Sequence, residues 1–194
     1  MALTAGAASL ILAAMRGWVL SDLHLEFGAI ELPKVDADLV VLAGDTNLGF
    51  EGVRWAKSAF SIPVVMVLGN HEYYHQVYPR LIPGLKKECQ GTGITILENS
   101  AVTIAGVTFL GCTLWTSFAT VPNSTMSKIL AARGMNDYQS IRFFPGFRRL
   151  DPADTVAAHH ESVDWLGKAC RQHPGRSEEH TSELQSQFRI SYAV

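Results

Sequence analysis

The 194-residue chain has few cysteines, no long hydrophobic run and no excess of positive charge. Its three cysteines, Cys89, Cys112 and Cys170, have no CxxC spacing. A sparse, odd set of this kind does not build a disulfide framework and favours a reducing cytoplasm. No apolar stretch reaches the about 20 residues of a membrane-spanning helix. The net charge of -2 excludes a broad basic face, so we expect neither bulk nucleic-acid binding nor a membrane partner.

The composition is 47% apolar and 18% charged, which is ordinary for a globular protein with one substantial core. The N-terminal segment 1–14 is small and apolar but has no positively charged start. We interpret residues 1–14 as a non-native or mis-annotated extension, with initiation at Met15. The alternative is a degenerate export signal.

The last residues differ in character from the rest of the chain. Residues 176–186 (RSEEHTSELQS) resemble the translation of a common sequencing adapter, and 190–194 (ISYAV) resemble its distal part. Because both blocks fit in one reading frame, we expect 176–194 to be an adapter-derived tail. Residues 15–175 are then expected to be the N-terminal part of a single domain.

The first half of the chain has the pattern of alternating strands and helices. Apolar, β-prone runs near 17–20, 38–43 and 63–68 are bounded by turn residues and predict buried strands. The stretch 50–60 has apolar residues at helical spacing and predicts a crossover helix. This order favours a parallel, right-handed strand–helix–strand unit.

The second half is less regular. Apolar runs across 94–112, separated by turn signals, predict a meander of sequential strands. Residues 77–90 are predicted to be an interrupted helix, and 116–150 to be an irregular lid or substrate-facing loop. Asp151 followed by proline predicts a capped helix that ends near Arg171.

Each of the first three predicted strands is followed by a short polar motif. The motifs are Asp22-Leu23-His24, Gly44-Asp45 and Gly69-Asn70-His71-Glu72. Any one of them alone is more typical of a surface pair or a turn. All three follow strands in order, with steps of 23 residues from Asp22 to Asp45 and 25 from Asp45 to Asn70, so together they indicate a metal site.

The side chains of these motifs suit a cation and an anion together. Residues two apart in a strand point the same way, so Asp22 and His24 are expected to bind one ion. Asp45 has two oxygens with which to bridge two ions. Asn70 offers an amide oxygen to a metal and an amide N–H to an anion, and His71 is a candidate acid or charge stabiliser. Mixed oxygen and nitrogen ligands favour Mn, Fe or Zn over Ca.

On these motifs, the chain from about 16 to 173 resembles the calcineurin-like metallophosphoesterase family. The resemblance implies an α/β fold, a β-sandwich flanked by helices, with a dinuclear site at the strand C-termini. It implies that Asp22 and His24 bind the first metal and that Asp45 bridges both. It further implies that Asn70 binds the second metal and phosphate, and that His71 is catalytic, as transition-state stabiliser or proton donor.

The implied activity is hydrolysis of a small phosphorylated substrate, a phosphodiester or a phosphomonoester. The implied cofactors are two divalent metal ions, and the implied nucleophile is a hydroxide that bridges them. The family's later motifs, a histidine after a further strand and a Gly-His-x-His, have no match in this sequence. We therefore expect an incomplete second metal site and impaired activity. The alternative is a catalytically inactive fragment or a binding scaffold with the same fold.

Overall fold

A computed structural model describes the backbone of residues 6–12 and all atoms of residues 15–119 and 123–173. In chain order, the strands are β1 (Gly6–Leu12), β2 (Met15–Ser21), β3 (Leu39–Ala43), β4 (Val64–Val67), β5 (Val77–Tyr78), β6 (Ile94–Ile96), β7 (Ser100–Ile104), β8 (Val107–Gly111), β9 (Arg142–Phe143) and β10 (Arg148–Arg149). The helices are α1 (Glu51–Ala59), α2 (Leu81–Glu88), α3 (Ser124–Gly134), α4 (Asn136–Ser140) and α5 (Pro152–Gln172).

The central sheet has the order β1-β2-β3-β4-β6, and β2, β3, β4 and β6 run parallel. The three predicted strands and the crossover helix α1 are confirmed. Strand β1, within the segment that we expected to be an extension, pairs antiparallel with β2. Because β2, β3 and β4 are parallel, their carboxyl ends meet at one edge of the sheet, and the three polar motifs follow that edge.

The two middle strands are covered on both faces. Every residue of β3 and β4 is buried, which is why their sequences are continuous apolar runs rather than alternating ones. One face packs against Val53 and Ala56 of α1, both fully buried. The other face, which includes Val41 and Val65, packs against Phe109 of β8. The buried sheet therefore fixes the positions of the loops that carry the three motifs.

Strands β7 and β8 form a separate two-stranded hairpin that makes the second β layer. Its tight turn, Ala105-Gly106, has positive φ at both residues, as a type I′ hairpin turn requires. The predicted meander is wrong in its first strand, because β6 pairs parallel with β4 instead of with β7. There β6 buries Ile94 and Ile96 against the main core. The result is a mixed α/β fold of two β layers with helices.

The predicted irregular segment 116–150 is also wrong over much of its length, because it contains α3 and α4. Helix α3 begins after Asn123, whose side chain accepts a hydrogen bond from the Met126 N–H at 2.9 Å. The predicted cap of α5 is confirmed, and its Asp151 side chain accepts from the Ala153 N–H. No helix in the described ranges combines the length and apolar character that crossing a membrane requires.

Candidate metal centre

The loops after β2, β3 and β4 are joined to one another by backbone hydrogen bonds. The Asp22 N–H donates to the Gly44 carbonyl at 3.2 Å, and the His24 N–H donates to the Asp45 carbonyl at 3.0 Å. The backbone N–H of His71 donates to Asp45 Oδ1 at 3.0 Å. These bonds bring residues that are far apart in the sequence to one place at the carboxyl edge of the sheet.

Three of the predicted metal ligands have a strained backbone. Asp22, His24 and Asp45 have φ values of 54°, 45° and 50°, in the left-handed region that residues with a side chain rarely adopt. Each such residue costs about 1–3 kcal/mol and persists only where the surroundings enforce it. We expected strand alternation to orient Asp22 and His24 in the same direction, but β2 ends at Ser21 and both residues lie in the loop that follows. The left-handed loop brings His24 Nε2 to 4.0 Å from Asp22 Oδ1.

A cluster of three metal-ligating side chains lies at this edge. His24, Asp45 and His71 each offer one ligand atom, and these atoms all lie within 4.8 Å of one another. The imidazole rings of His24 and His71 are 4.4 Å apart between centroids. Asp22 lies beside this cluster, while Asn70 lies in the turn directly before His71. The structure thus brings His71, which we predicted as catalytic, into the same cluster as two predicted ligands.

Gly69 makes the close approach of two motif loops possible. A Cβ at this position would lie 2.0 Å from Asp45 Oδ1 and 2.7 Å from the Asp45 backbone nitrogen. No side chain fits there, because real Cβ atoms do not approach other heavy atoms closer than about 3 Å. The glycine of the third motif is therefore a steric requirement for the position of the Asp45 carboxylate.

Glu72, the last residue of the third motif, links the loops that follow β3 and β4. It is fully buried, and its carboxylate accepts hydrogen bonds from the backbone N–H groups of Asp45, Thr46 and Gly69 at 3.1, 2.7 and 2.7 Å. Burial raises the pKa of Glu72 to about 7, although these N–H donors favour its charged form. Sequence reasoning assigned Glu72 no role, and its place within the motif was the only available signal.

Glu26 is a second residue that sequence reasoning missed. Its Oε1 lies 2.6 Å from Nδ1 of His71 and 3.2 Å from Nδ1 of His24, so both imidazoles donate to one carboxylate oxygen. These bonds fix the orientation of both rings and leave their Nε2 atoms for other partners. The signal in the sequence was an acidic residue two positions after His24.

Asn70 and Asp137 form a buried pair beside the cluster. Asn70 Nδ2 donates to Asp137 Oδ1 at 2.8 Å and to the Tyr74 hydroxyl at 3.2 Å. Asn70 Oδ1 is buried and has no hydrogen-bond partner among the described residues. A buried acceptor without a partner is costly, and here it belongs to a side chain that we predicted to bind metal.

The electrostatics of the cluster also fit a cation. Burial raises the pKa of Asp45 well above its ordinary value, and the nearby carboxylates of Glu72, Asp22 and Asp137 raise it further. Burial lowers the pKa of His71, which the hydrogen bond to Glu26 partly opposes. A divalent cation bound to these groups would offset the crowding of negative charge. The oxygen and nitrogen donors, together with the unpartnered Asn70 Oδ1, fit a transition-metal ion.

Three further histidines and one arginine lie outside this cluster. His75 and His160 are exposed, and His159 donates from Nδ1 to the Trp115 carbonyl at 2.5 Å. Arg148 is held in a two-point ion pair by Asp154. These residues supply neither metal ligands nor a free cationic group to the site.

Comparison with models of protein families gives a match. The family model for calcineurin-like phosphoesterases matches residues 15–181, which is well over half of the chain. A search of curated proteins found no match. The matched range contains all three polar motifs and every residue of the cluster.

Proposed function

The chain belongs to the calcineurin-like phosphoesterase family. From this premise we propose that the protein is a metal-dependent phosphoesterase, which hydrolyses a small phosphodiester or phosphomonoester. One observation carries the proposal. His24, Asp45 and His71 bring their ligand atoms within 4.8 Å of one another at the carboxyl edge of a parallel sheet. Ligand sites of α/β proteins form at such edges.

The proposed cofactors are two divalent cations, with Mn²⁺ as the first choice and Fe or Zn as alternatives. Asp22, His24 and Asp45 would hold the first ion, and Asp45 and Asn70 the second. Such a pair of ions, when bound, supplies an activated water and neutralises charge on the phosphate oxygens. The strained backbone of Asp22, His24 and Asp45 supports the proposal, because enforced strain of this kind concentrates at functional sites.

His71 would act on the leaving group. Its Nδ1 is occupied by Glu26 at 2.6 Å, so Nε2 is the atom left to meet the substrate. In the charged ring, Nε2–H would donate its proton to the leaving oxygen or stabilise the negative charge that develops there. Tyr74 stacks on the ring at 4.4 Å and limits its rotation.

The test is hydrolysis of bis(4-nitrophenyl) phosphate with and without added Mn²⁺. Asp45→Ala is expected to lower the Mn²⁺-stimulated rate by about 100-fold or more, the scale on which losing one stabiliser of transition-state charge acts. Asp164→Ala makes the same change at an exposed position of α5 and serves as the matched control. If Mn²⁺ does not raise the rate of hydrolysis and Asp45→Ala does not change it, the proposal is wrong.

A second candidate is a scaffold with the same fold that does not catalyse. The observation that favours it is the small ligand set, since the proposal assigns only Asp45 and Asn70 to the second ion. Such a site would bind its ion weakly. Metal analysis of the purified protein separates the two, because about two ions per chain supports catalysis and none supports a scaffold. A cytoplasmic location completes the proposal, supported by the free cysteines.

A further inference from the structure

Asp137 reaches the candidate metal centre from a part of the chain that carries none of its motifs. It lies on α4, 67 residues after Asn70, and the residue is buried, with 4% of its surface exposed. The backbone joins α4 to the loop after Asn70, because the His75 N–H donates to the Ser140 carbonyl at 3.1 Å. The Arg142 N–H then donates to the Gln76 carbonyl at 2.9 Å. The position of Asp137 relative to Asn70 is thus set by the fold.

The contacts of Asp137 distinguish the two ends of the Asn70 amide. Asp137 Oδ1 accepts from Asn70 Nδ2 and from the Tyr74 hydroxyl, each at 2.8 Å. A carboxylate accepts hydrogen bonds but does not donate them, so it attracts the N–H₂ end of an amide and repels the oxygen end. Rotating the amide by half a turn would place Asn70 Oδ1 against Asp137 Oδ1. Asp137 therefore selects one of the two orientations of the Asn70 side chain.

The selected orientation leaves Asn70 Oδ1 on the opposite arm of the amide, buried and without a hydrogen-bond partner among the described residues. A buried acceptor without a partner is unfavourable, and a cation that reaches it relieves that cost. The amide nitrogen, by contrast, has two acceptors and cannot bind a cation. The pair thus presents an oxygen ligand in advance of metal binding.

We propose that Asp137 is a positioning residue that holds the Asn70 amide with its oxygen available to the metal. The inference rests on the proposed function in one respect, that Asn70 is a metal ligand. It assigns a role to a segment that the sequence patterns describe as an irregular loop. Hydrogen-bond partners of metal ligands commonly contribute 10- to 100-fold to metal affinity, which sets the expected effect at about that size.

The experiment measures Mn²⁺ dissociation constants by isothermal titration calorimetry on the full chain. Asp137→Ala is expected to raise the dissociation constant of the Mn²⁺ ion that Asn70 binds by about 10- to 100-fold. Because Asp137 acts through Asn70, the double variant N70A/D137A is expected to bind no more weakly than N70A alone, within about twofold. If Asp137→Ala lowered the Mn²⁺ affinity by the same factor in the parent and in N70A, its effect would be a general structural one, and the inference would be overturned.

Tyr138→Phe is the matched control for disturbance of α4. Tyr138 is buried on the same helix, and its hydroxyl hydrogen-bonds Thr155 Oγ1 at 3.1 Å, away from Asn70. We expect this variant to keep the Mn²⁺ affinity of the parent within about twofold. If Tyr138→Phe weakens Mn²⁺ binding as much as Asp137→Ala does, the inference is wrong.

A reciprocal exchange gives a decision even if Asp137→Ala does not fold. N70D alone puts two carboxylates against each other and is expected to weaken Mn²⁺ binding. N70D/D137N restores a donor opposite an acceptor with the same number of heavy atoms, and is expected to recover binding to within about tenfold of the parent. Failure of the exchange to improve on N70D overturns the inference. A parent protein that binds no Mn²⁺ overturns the proposed function as well, whereas normal binding by Asp137→Ala overturns this inference alone.

Discussion

Glu26 Oε1 and His71 Nδ1 lie 2.6 Å apart, although 45 residues separate them in the chain. Glu26 stands in the 3₁₀ turn Leu25–Phe27 after β2, and His71 begins the corresponding turn after β4. The bond joins two motif loops and fixes the imidazole in one orientation. It also sets which ring nitrogen meets a substrate, because a carboxylate partner requires the proton on Nδ1.

Replacement of Glu26 should therefore lower the rate of the chemical step more than it lowers the affinity for substrate. Glu26→Ala frees the His71 ring, and we expect kcat on bis(4-nitrophenyl) phosphate with Mn²⁺ to fall about 10- to 100-fold with little change in KM. Glu26→Gln keeps an acceptor and should recover part of kcat. Glu31→Gln, at an exposed position, is the control. A rise in KM at constant kcat would contradict a positioning role.

Glu72 should matter for stability more than any other acidic residue near the site. Glu72→Ala removes the acceptor of backbone N–H groups on both the β3 and β4 loops. Each buried donor left without a partner costs about 1–3 kcal/mol, so we expect a loss of at least about 3 kcal/mol in urea unfolding. Glu88→Ala removes an exposed ion pair with Lys57 and should leave the free energy of unfolding almost unchanged, because water and salt screen such pairs. Equal losses would refute the bracing role of Glu72.

Gly69→Ala tests the close approach of the motif loops. Its Cβ would lie 2.0 Å from Asp45 Oδ1, so the carboxylate must move and the metal stoichiometry should fall. Gly134→Ala is the matched control, since nothing lies within 4 Å of its Cβ at the end of α3. We expect that control to keep its metal content and to gain up to about 1 kcal/mol of stability. Full metal content in Gly69→Ala would show that the loops adjust freely.

The parts of the fold that the sequence predicts are those governed by local patterns. Buried runs such as Leu39–Ala43 are continuous because both faces are covered, and Asp151 caps α5 through contacts two residues away. The partner of β6 has no such local signature, since any buried strand next to it would bury Ile94 equally well. Helix α3 was missed because Ile129 and Leu130 are exposed and the helix has no clear apolar stripe.

The candidate site divides in the same way. That Asp22, Asp45 and His71 lie close together could be predicted, because each follows an apolar run and the strand ends of a parallel sheet meet at one edge. The contact of Glu26 with His71 and the contact of Asp137 with Asn70 were not predicted, because they join residues 45 and 67 positions apart. No spacing rule connects these pairs. The positions of Glu26 and Asp137 beside the predicted ligands are therefore set by tertiary packing and not by local sequence patterns.

Glu98 makes the stability of the fold depend on pH. Burial raises its pKa to about 7, although the backbone N–H and the hydroxyl of Thr113 donate to it at 3.1 and 2.6 Å. A carboxyl whose pKa is higher in the folded than in the unfolded state stabilises the fold fully below its unfolded pKa of about 4.5. That contribution is lost as the pH rises toward 7. Glu98→Gln stays neutral, so we expect it to be more stable than the parent by up to about 3 kcal/mol at pH 8 and nearly equal to it at pH 4. Urea unfolding at the two pH values measures this, with Glu31→Gln as the exposed control. A difference that is the same at pH 4 and pH 8 would show that Glu98 does not titrate in the folded protein as its burial requires.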